Sequence, residues 1–187
     1  MNKKAANRSV RRTKKLLKDN LILLLKDKTI DHITVKELTD LCDLNRGTFY
    51  LYYQDIYDML DKIEDEIILE IEKILINRNR IKPLDVLDPL FEYLYENKEL
   101  YGIFLGPTGD IEFIDKLLDI VKTYCFDIWR TSFKVTNNES YEYYYSYMAY
   151  GFIGVIRKWS FENFQSSPHE MALFVDRMIL EGVHCLD

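Results

Sequence analysis

"TVKELTDLCDLNRGTFYLYYQDIYDML", residues 34–60, decides the fold. Thr34 stands three residues ahead of Glu37, the spacing at which a hydroxyl caps a helix start and a carboxylate answers it. The helix so opened has room for about two turns, because Asp43 and Leu44 precede a new capping residue, Asn45. Asp tolerates the left-handed backbone that a tight turn between helices needs. Asn45 then caps a further helix reaching Tyr52 or Tyr53, and two short helices joined by a tight turn describe a helix-turn-helix. Asp55 caps a long helix whose Ile63, Ile67, Ile71 and Leu75 form an apolar stripe.

A helix-turn-helix lays its second helix in the DNA major groove, with the N-terminal residues at base edges. Arg46 could donate two hydrogen bonds to guanine, and Leu51 could meet a thymine methyl. Gly47, lacking a Cβ, lets the backbone approach a sugar-phosphate chain, and Thr48 reaches a base edge or a phosphate. Tyr50 and Tyr52 offer hydroxyls to phosphate oxygens, contacts that set register without reading sequence. Phe49 and Tyr53, four apart, point inward against Val35, Leu38 and the first helix. Lys14, Lys15, Thr34, Lys36 and Asn45 complete the expected DNA-facing set.

Charge divides along the chain in the same sense. Residues 1–55 hold 12 Lys/Arg and 7 Asp/Glu, the remainder 13 and 24, and 3–18 carries eight positive charges and no negative one. A basic beginning attracts a polyanion, and an acidic remainder implies a second task. Apolar residues recur at helical spacing almost throughout, so the class is all-α. Helices are expected at 9–26, 34–42, 45–53, 56–75, 83–97, 98–104, 112–133, 140–161 and 168–184. The loops "LGPTGD" (105–110) and "VTNNES" (135–140) separate the later ones. The chain then divides into a small basic helical unit, 1–55, and a larger acidic helical body, 56–187.

Other classes are weaker. The longest apolar run, 21–25, is too short to cross a bilayer, so no membrane association is expected and a cytoplasmic location is. Cys42, Cys125 and Cys185 are odd in number and widely spaced, and His32, His169 and His184 have no neighbours at ligand spacing, so neither a disulfide framework nor a metal is implied. With no phosphate loop or nucleophile motif, no cofactor or enzymatic activity is expected.

The stretch 34–60 resembles the DNA-binding signature of the tetracycline-repressor (TetR) family, most specifically in "GTFYLYY" after a capping Asn. The nine-helix plan and basic first helix fit that family across the chain. The resemblance implies an N-terminal DNA-reading domain, a ligand-binding body and dimerisation through the last two helices. The stretch "LYENKELYGIF" with the loop "LGPTGD", 94–110, is similar to a C-terminal subtype found among dihydroxyacetone-kinase regulators and related proteins. Ile56 departs from the pattern, standing where many members carry a phosphate-contacting Lys.

For the body, Tyr93, Tyr101, Phe104, Tyr124, Trp129 and Tyr147 are candidates to line an aromatic cavity for a small-molecule effector. Gly151 and Gly154 share a helix face with Tyr147 and Lys158. Met171, Phe174, Val175, Met178, Ile179 and Gly182 form a stripe on the last helix, and the two faces together suit a twofold four-helix bundle. The reading is a homodimeric regulator, most simply a repressor, on a near-palindromic double-stranded operator. Two alternatives remain beside it: a coactivator of the same fold whose body binds a partner protein, and a helical enzyme using the aromatic cavity.

Overall fold

The computed structural model describes residues 3–76, 82–105, 111–132 and 138–182, and their side chains except at 3–7, 125–132, 138, 140 and 182. Among the described residues there are nine α-helices and no strand: α1 Lys3–Leu25, α2 Val35–Leu41, α3 Arg46–Tyr50, α4 Ile56–Leu75, α5 Pro83–Glu96, α6 Lys98–Phe104, α7 Ile111–Ser132, α8 Asn138–Phe161 and α9 Pro168–Gly182. None of them is long and apolar enough to cross a membrane. Residues 106–110 and 135–137 of the two expected loops lie outside the described residues, as do 133–134, and 138–140 of the second loop belong to α8 instead. The all-α reading holds, with adjustments at helix ends. α1 starts six residues ahead of the expected Ser9, and a 3₁₀ turn at Ile30–His32 was not foreseen.

The chain divides into two units, residues 1–67 and 68–187, so the backbone of α4 belongs to both. In the first unit, Thr34 caps α2 as expected, its hydroxyl accepting from the Glu37 N–H at 3.2 Å. The reciprocal half of the box does not form, because the Glu37 carboxylate turns to the Lys28 ammonium at 2.5 Å. Asp43 has φ 51°, the left-handed turn residue anticipated, and the next amide, Leu44 N–H, reaches back to the Thr39 carbonyl at 2.9 Å. Asn45 Oδ1 accepts from Gly47 N–H at 2.8 Å and starts α3. α3 ends at Tyr50, earlier than expected, since the Tyr52 and Tyr53 amides both return to the Phe49 carbonyl. Leu17, Leu21, Leu38, Phe49 and Met59 are wholly enclosed and form this unit's core.

In the second unit the stripe of α4 continues through the buried Ile71 and Leu75. Pro83 opens α5 at its first turn, where its missing N–H costs nothing, while Pro89 lies inside the helix and removes one intrahelical hydrogen bond. α5 packs chiefly on α9, and α6 on α8. Trp159 of α8 anchors the core: its ring meets Phe91 at 5.5 Å and Phe164 at 4.8 Å, and its indole N–H donates to the Ser166 carbonyl at 2.9 Å. Asn163 and Phe164 take left-handed φ to fold the turn that brings Phe164 there. Ser167 and Glu170 then cap α9 reciprocally, the Glu170 carboxylate accepting from Ser167 N–H at 2.7 Å.

The left-handed Asp43 gives a direct test. Asp43→Val, which places a β-branched side chain on that backbone, should lose about 1–2 kcal/mol of stability, whereas Asp43→Gly should lose none. Urea denaturation of the two variants measures the difference, and equal midpoints would show that the turn is not strained.

Candidate nucleic-acid interface

α3 separates its residues by face. Phe49 is wholly buried and Tyr53 nearly so, their rings 5.4 Å apart, while Arg46, Gly47, Tyr50 and Leu51 are exposed. Leu51 is 75% exposed, an apolar side chain that nothing in its own unit covers. Thr48 and Tyr52 are half-buried at the edges of that face. Gly47 has ordinary helical backbone, and a Cβ built there would meet only Asn45 Oδ1, at 3.4 Å. Internal packing thus gives little reason for glycine, although glycine weakens a helix by about 1 kcal/mol relative to alanine. Its benefit is an outward one, a backbone that a partner can approach closely.

Three helices fix this face. Lys14 of α1 holds its ammonium 5.8 Å from the ring centres of both Tyr52 and Tyr53. On the other side Lys62 of α4 lies 5.5 Å from the Tyr53 ring, donates to the Tyr52 carbonyl at 3.1 Å and pairs with Asp58 at 2.8 Å. Asp58 Oδ2 also accepts from Gln54 N–H, and Asp58 N–H donates to Asp55 Oδ1, each at 2.8 Å. The turn from α3 into α4 is therefore tied at the Tyr52 carbonyl, the Gln54 amide and the Asp58 amide. Lys62, and next the Gln54 amide, hold the Asp58 carboxyl below the usual range. Burial, reinforced by Glu66 and Asp58, pushes the Tyr53 phenol up to about 12. The Tyr57 hydroxyl donates to Asp31 and fastens α4 to the 3₁₀ turn. Ile56, buried at 4% exposure, belongs to the core and offers nothing to a phosphate.

The remaining sequence candidates are placed unevenly. Lys36 is exposed, and Lys15 is exposed but shared with Asp19 at 2.7 Å. Thr34 and Asn45 spend one oxygen each on capping, which makes them organisers of the two helix starts. The reading of the sequence missed Lys62. The available signal was Asp58 four residues ahead of Lys62, the favourable order for a helical ion pair.

In the body the arrangement differs from the expected aromatic cavity. α5, α7, α8 and α9, with Leu75 ending α4, enclose a cavity of about 80 Å³ whose walls are mainly aliphatic. None of Tyr93, Tyr101, Phe104, Tyr124 or Tyr147 lines it. Tyr101 and Phe104 are buried on α6, packed on Tyr93 and Phe113 at 5.9 and 5.1 Å, and Tyr124 is half-buried. Burial, then Tyr93 beside it, pushes the Tyr101 phenol up. Tyr147 is 70% exposed on the far side of α8 from Tyr145 and Met148. The side chain of Trp129 lies outside the described residues. Tyr144 and Tyr145 instead use their hydroxyls to bind α8 to the Ile179 and Leu118 carbonyls.

The expected dimer face also divides. Gly151, Gly154 and Lys158 are exposed, with Lys158 paired to Glu162 at 2.7 Å, and a Cβ on either glycine would meet nothing within 4 Å. On α9, Phe174 and Met178 are exposed and Met171 is half-buried. Val175 and Ile179 face the other way, buried in their own unit beside the cavity. The ridge Ala172–Val175–Ile179 is what α9 turns inward, and this leaves the outer face narrower than the stripe suggested. The surroundings of Gly182 lie outside the described residues.

Comparison with known proteins adds the relatives. A family model described as "Transcriptional regulator C-terminal region" matches residues 82–181. An HTH-type transcriptional regulator of Bacillus subtilis (strain 168), YxbF, itself uncharacterized, is 27% identical over 101 residues. That match takes in 48% of this chain and 26% of the relative, so the chain spans about a quarter of the relative's length. Among solved structures, a TetR transcriptional regulator from Streptococcus agalactiae 2603V superposes with TM-score 0.68 at 18% identity, covering 95% of this chain and 99% of that one. The dihydroxyacetone kinase operon activator DhaS gives 0.65 at 19% identity, covering 94% and 98%. FadR from Bacillus subtilis, solved with stearoyl-CoA, gives 0.65 at 14% identity, covering 89% and 97%. At these identities the structures establish a shared fold.

The Asp58–Lys62 tie has a measurable signature. A depressed carboxylate stabilises the fold above its unfolded pKa and ceases to do so as pH falls through its folded one. In Lys62→Met the Asp58 titration should move up toward the ordinary value of about 4, and the turn should loosen at a correspondingly higher pH. Carboxyl-detected NMR titration follows both, and an unmoved Asp58 would mean that the lysine is not what depresses it.

Proposed function

We propose, because this chain belongs to the TetR family of transcriptional regulators, that it binds a near-palindromic double-stranded DNA operator as a homodimer. An effector in the body would release it. Members of this family and the relatives named above are regulators of transcription and not enzymes. The observation that carries the reading is the face of α3: Arg46, Gly47, Tyr50 and Leu51 exposed together, around a glycine with no internal reason to be one. Arg46 would read guanine and Leu51 a thymine methyl, with Thr48 at the edge. Tyr50, Tyr52, Lys14, Lys15 and Lys36 would meet phosphates and set the register. In this reading residues 1–55 form the DNA-binding domain and 56–187 the effector and dimer domain.

The homodimer is supported by the exposed strip of Tyr147, Gly151, Gly154 and Lys158 on α8, with Phe174 and Met178 on α9. A helix that carries two glycines with open space beside them gains room for another helix to come close. Half-sites fall about one DNA turn apart for paired recognition helices, so changing the separation of two subunits costs affinity. α4, which starts one residue after the capping Asp55 and ends at Leu75 in the cavity wall, is the natural carrier of that change. Repression is the simplest outcome of effector-driven release.

Footprinting of the region upstream of its own gene tests the reading and supplies the operator. Arg46→Ala should then cost about 1–3 kcal/mol and relax preference at one base position, whereas Tyr50→Phe should weaken all sequences alike. Matching profiles for the two variants across a randomised operator library would refute the assignment. Affinity should also fall steeply with salt. For the dimer, Gly154→Arg should give a folded monomer by light scattering with much reduced operator affinity. A Gly154→Arg protein that stays dimeric would remove that residue from the interface.

A further inference from the structure

The cavity of the C-terminal unit has a chemistry that selects what can enter it. Val86, Leu90, Met148, Phe152 and Val175 face it, and the one phenol on its wall, Tyr145, already donates its hydroxyl to the Leu118 carbonyl. A polar group carried inside would give up its water partners and find none in return, which disfavours sugars, nucleotides and zwitterions. Hydrocarbon meets no such penalty. The space is small, about 80 Å³, where an apolar cavity of about 150 Å³ takes up benzene, so a ligand must part its walls, and Met148, unbranched and soft, can shift aside along a chain.

At the edge of the cavity stands Lys82, the one charged residue among the described residues that line it. Lys82 is the N-cap of α5, and its backbone N–H is taken by Asp85 Oδ2 at 3.1 Å. Asp85 thereby offsets part of the positive helix start, but no described carboxylate pairs with the exposed Lys82 ammonium. An anion at the end of an apolar chain would find its counter-charge there and nowhere else on the described wall.

We propose that this cavity takes the hydrocarbon tail of a single-chain amphiphile with an anionic end, of the class of medium-chain alkanoates, the carboxylate meeting Lys82. The proposal rests on the reading of the chain as an effector-responsive regulator and names the class of that effector. An eight-carbon chain exceeds a cavity smaller than one that fits benzene, so its entry parts α5 from α8 and α9. Those are the helices that contribute Leu90, Phe152 and Val175.

The test titrates the 187-residue chain with hexanoate, octanoate and decanoate below their micelle concentrations, by calorimetry and by melting temperature. Saturable binding of one molecule per chain is expected, tightening roughly fourfold with each added buried methylene until the space is filled. Octylamine and octanol should bind at least tenfold more weakly than octanoate, and Lys82→Glu should reverse the order of octanoate and octylamine. Val86→Trp, which fills the cavity, should abolish binding. Ala149→Leu is a milder filling variant in case the tryptophan unseats the core, and helical content is measured for both first. Affinity independent of chain length, equal binding of octanoate and octylamine, no effect of Lys82→Glu, or no binding of any alkanoate would each overturn the proposal. Preference for octyl phosphate over octanoate would overturn the carboxylate. None of these readouts involves DNA, so the proposal can fail while the operator footprint stands, and the reverse.

Discussion

A five-residue helix does not persist in water, where even good sequences need about 12–15 residues to be marginally helical. α3 therefore exists because Phe49 is buried beneath it. That side chain sits at the centre of the short helix, and the amides of both Tyr52 and Tyr53 return to its carbonyl, so its burial fixes the helix end as well as the helix axis. Tyr53 extends the anchor sideways, with Lys14 over its ring on one flank and Lys62 on the other. Every exposed residue of α3 takes its direction from these two buried rings. A change at Phe49 would displace Arg46 and Leu51 together, even though Phe49 itself is out of reach of any partner.

Lys62 and Asp58 give α4 a share in the same anchor. The Tyr52 carbonyl and the Gln54 amide, both in the turn after α3, find partners within the first two turns of α4. The end of α3 and the start of α4 consequently behave as one piece. Further along, α4 has passed into the second unit and ends at Leu75, on the cavity wall. A continuous helix transmits a displacement that a flexible linker would absorb, and this is the physical content of the proposed coupling between effector and operator.

What the sequence disclosed were the features decided within a few residues. Thr34, Asn45, Asp55 and Ser167 cap because a hydroxyl, amide or carboxylate at that spacing has an amide to accept from, and Asp43 turns left-handed because the chain has no other way to reverse there. The inward pair Phe49 and Tyr53 was likewise readable from a spacing of four. The faces of α8 and α9 were not. Tyr141, Tyr144 and Tyr145 are buried while Tyr143, Tyr147 and Tyr150 are exposed, and the alternation within one tyrosine-rich run reflects where α7 and α9 lie, which no local rule supplies. Aromatic content pointed to an aromatic cavity, but among the described rings Tyr93, Tyr101, Phe104, Tyr124 and Tyr147 stay off the wall of the cavity between α5, α7, α8 and α9, which is mainly aliphatic. The stripe on α9 was correctly seen as apolar, yet a stripe does not say which half a neighbour will cover. α5 took Val175 and Ile179.

Three described glycines, Gly47, Gly151 and Gly154, sit inside helices where a Cβ would meet nothing closer than the Asn45 oxygen at 3.4 Å. Gly151 and Gly154, in the interior of α8, each weaken that helix by roughly 1 kcal/mol relative to alanine, Gly47 stands in the first turn of α3 where the cost is smaller, and no internal contact compensates at any of them. Gly102 is a different case, since a Cβ there would lie 3.5 Å from the Ser160 hydroxyl oxygen, in contact with the neighbouring helix. A stability loss with no internal return fits the proposed partners, which would need the backbone bare. On α3 the partner would be a sugar-phosphate chain approaching beside Arg46, and on α8 a second helix lying against Tyr147 and Lys158. The same steric argument thus supports two different partners, one for each unit, and it does so independently of the charge pattern and the aromatic residues.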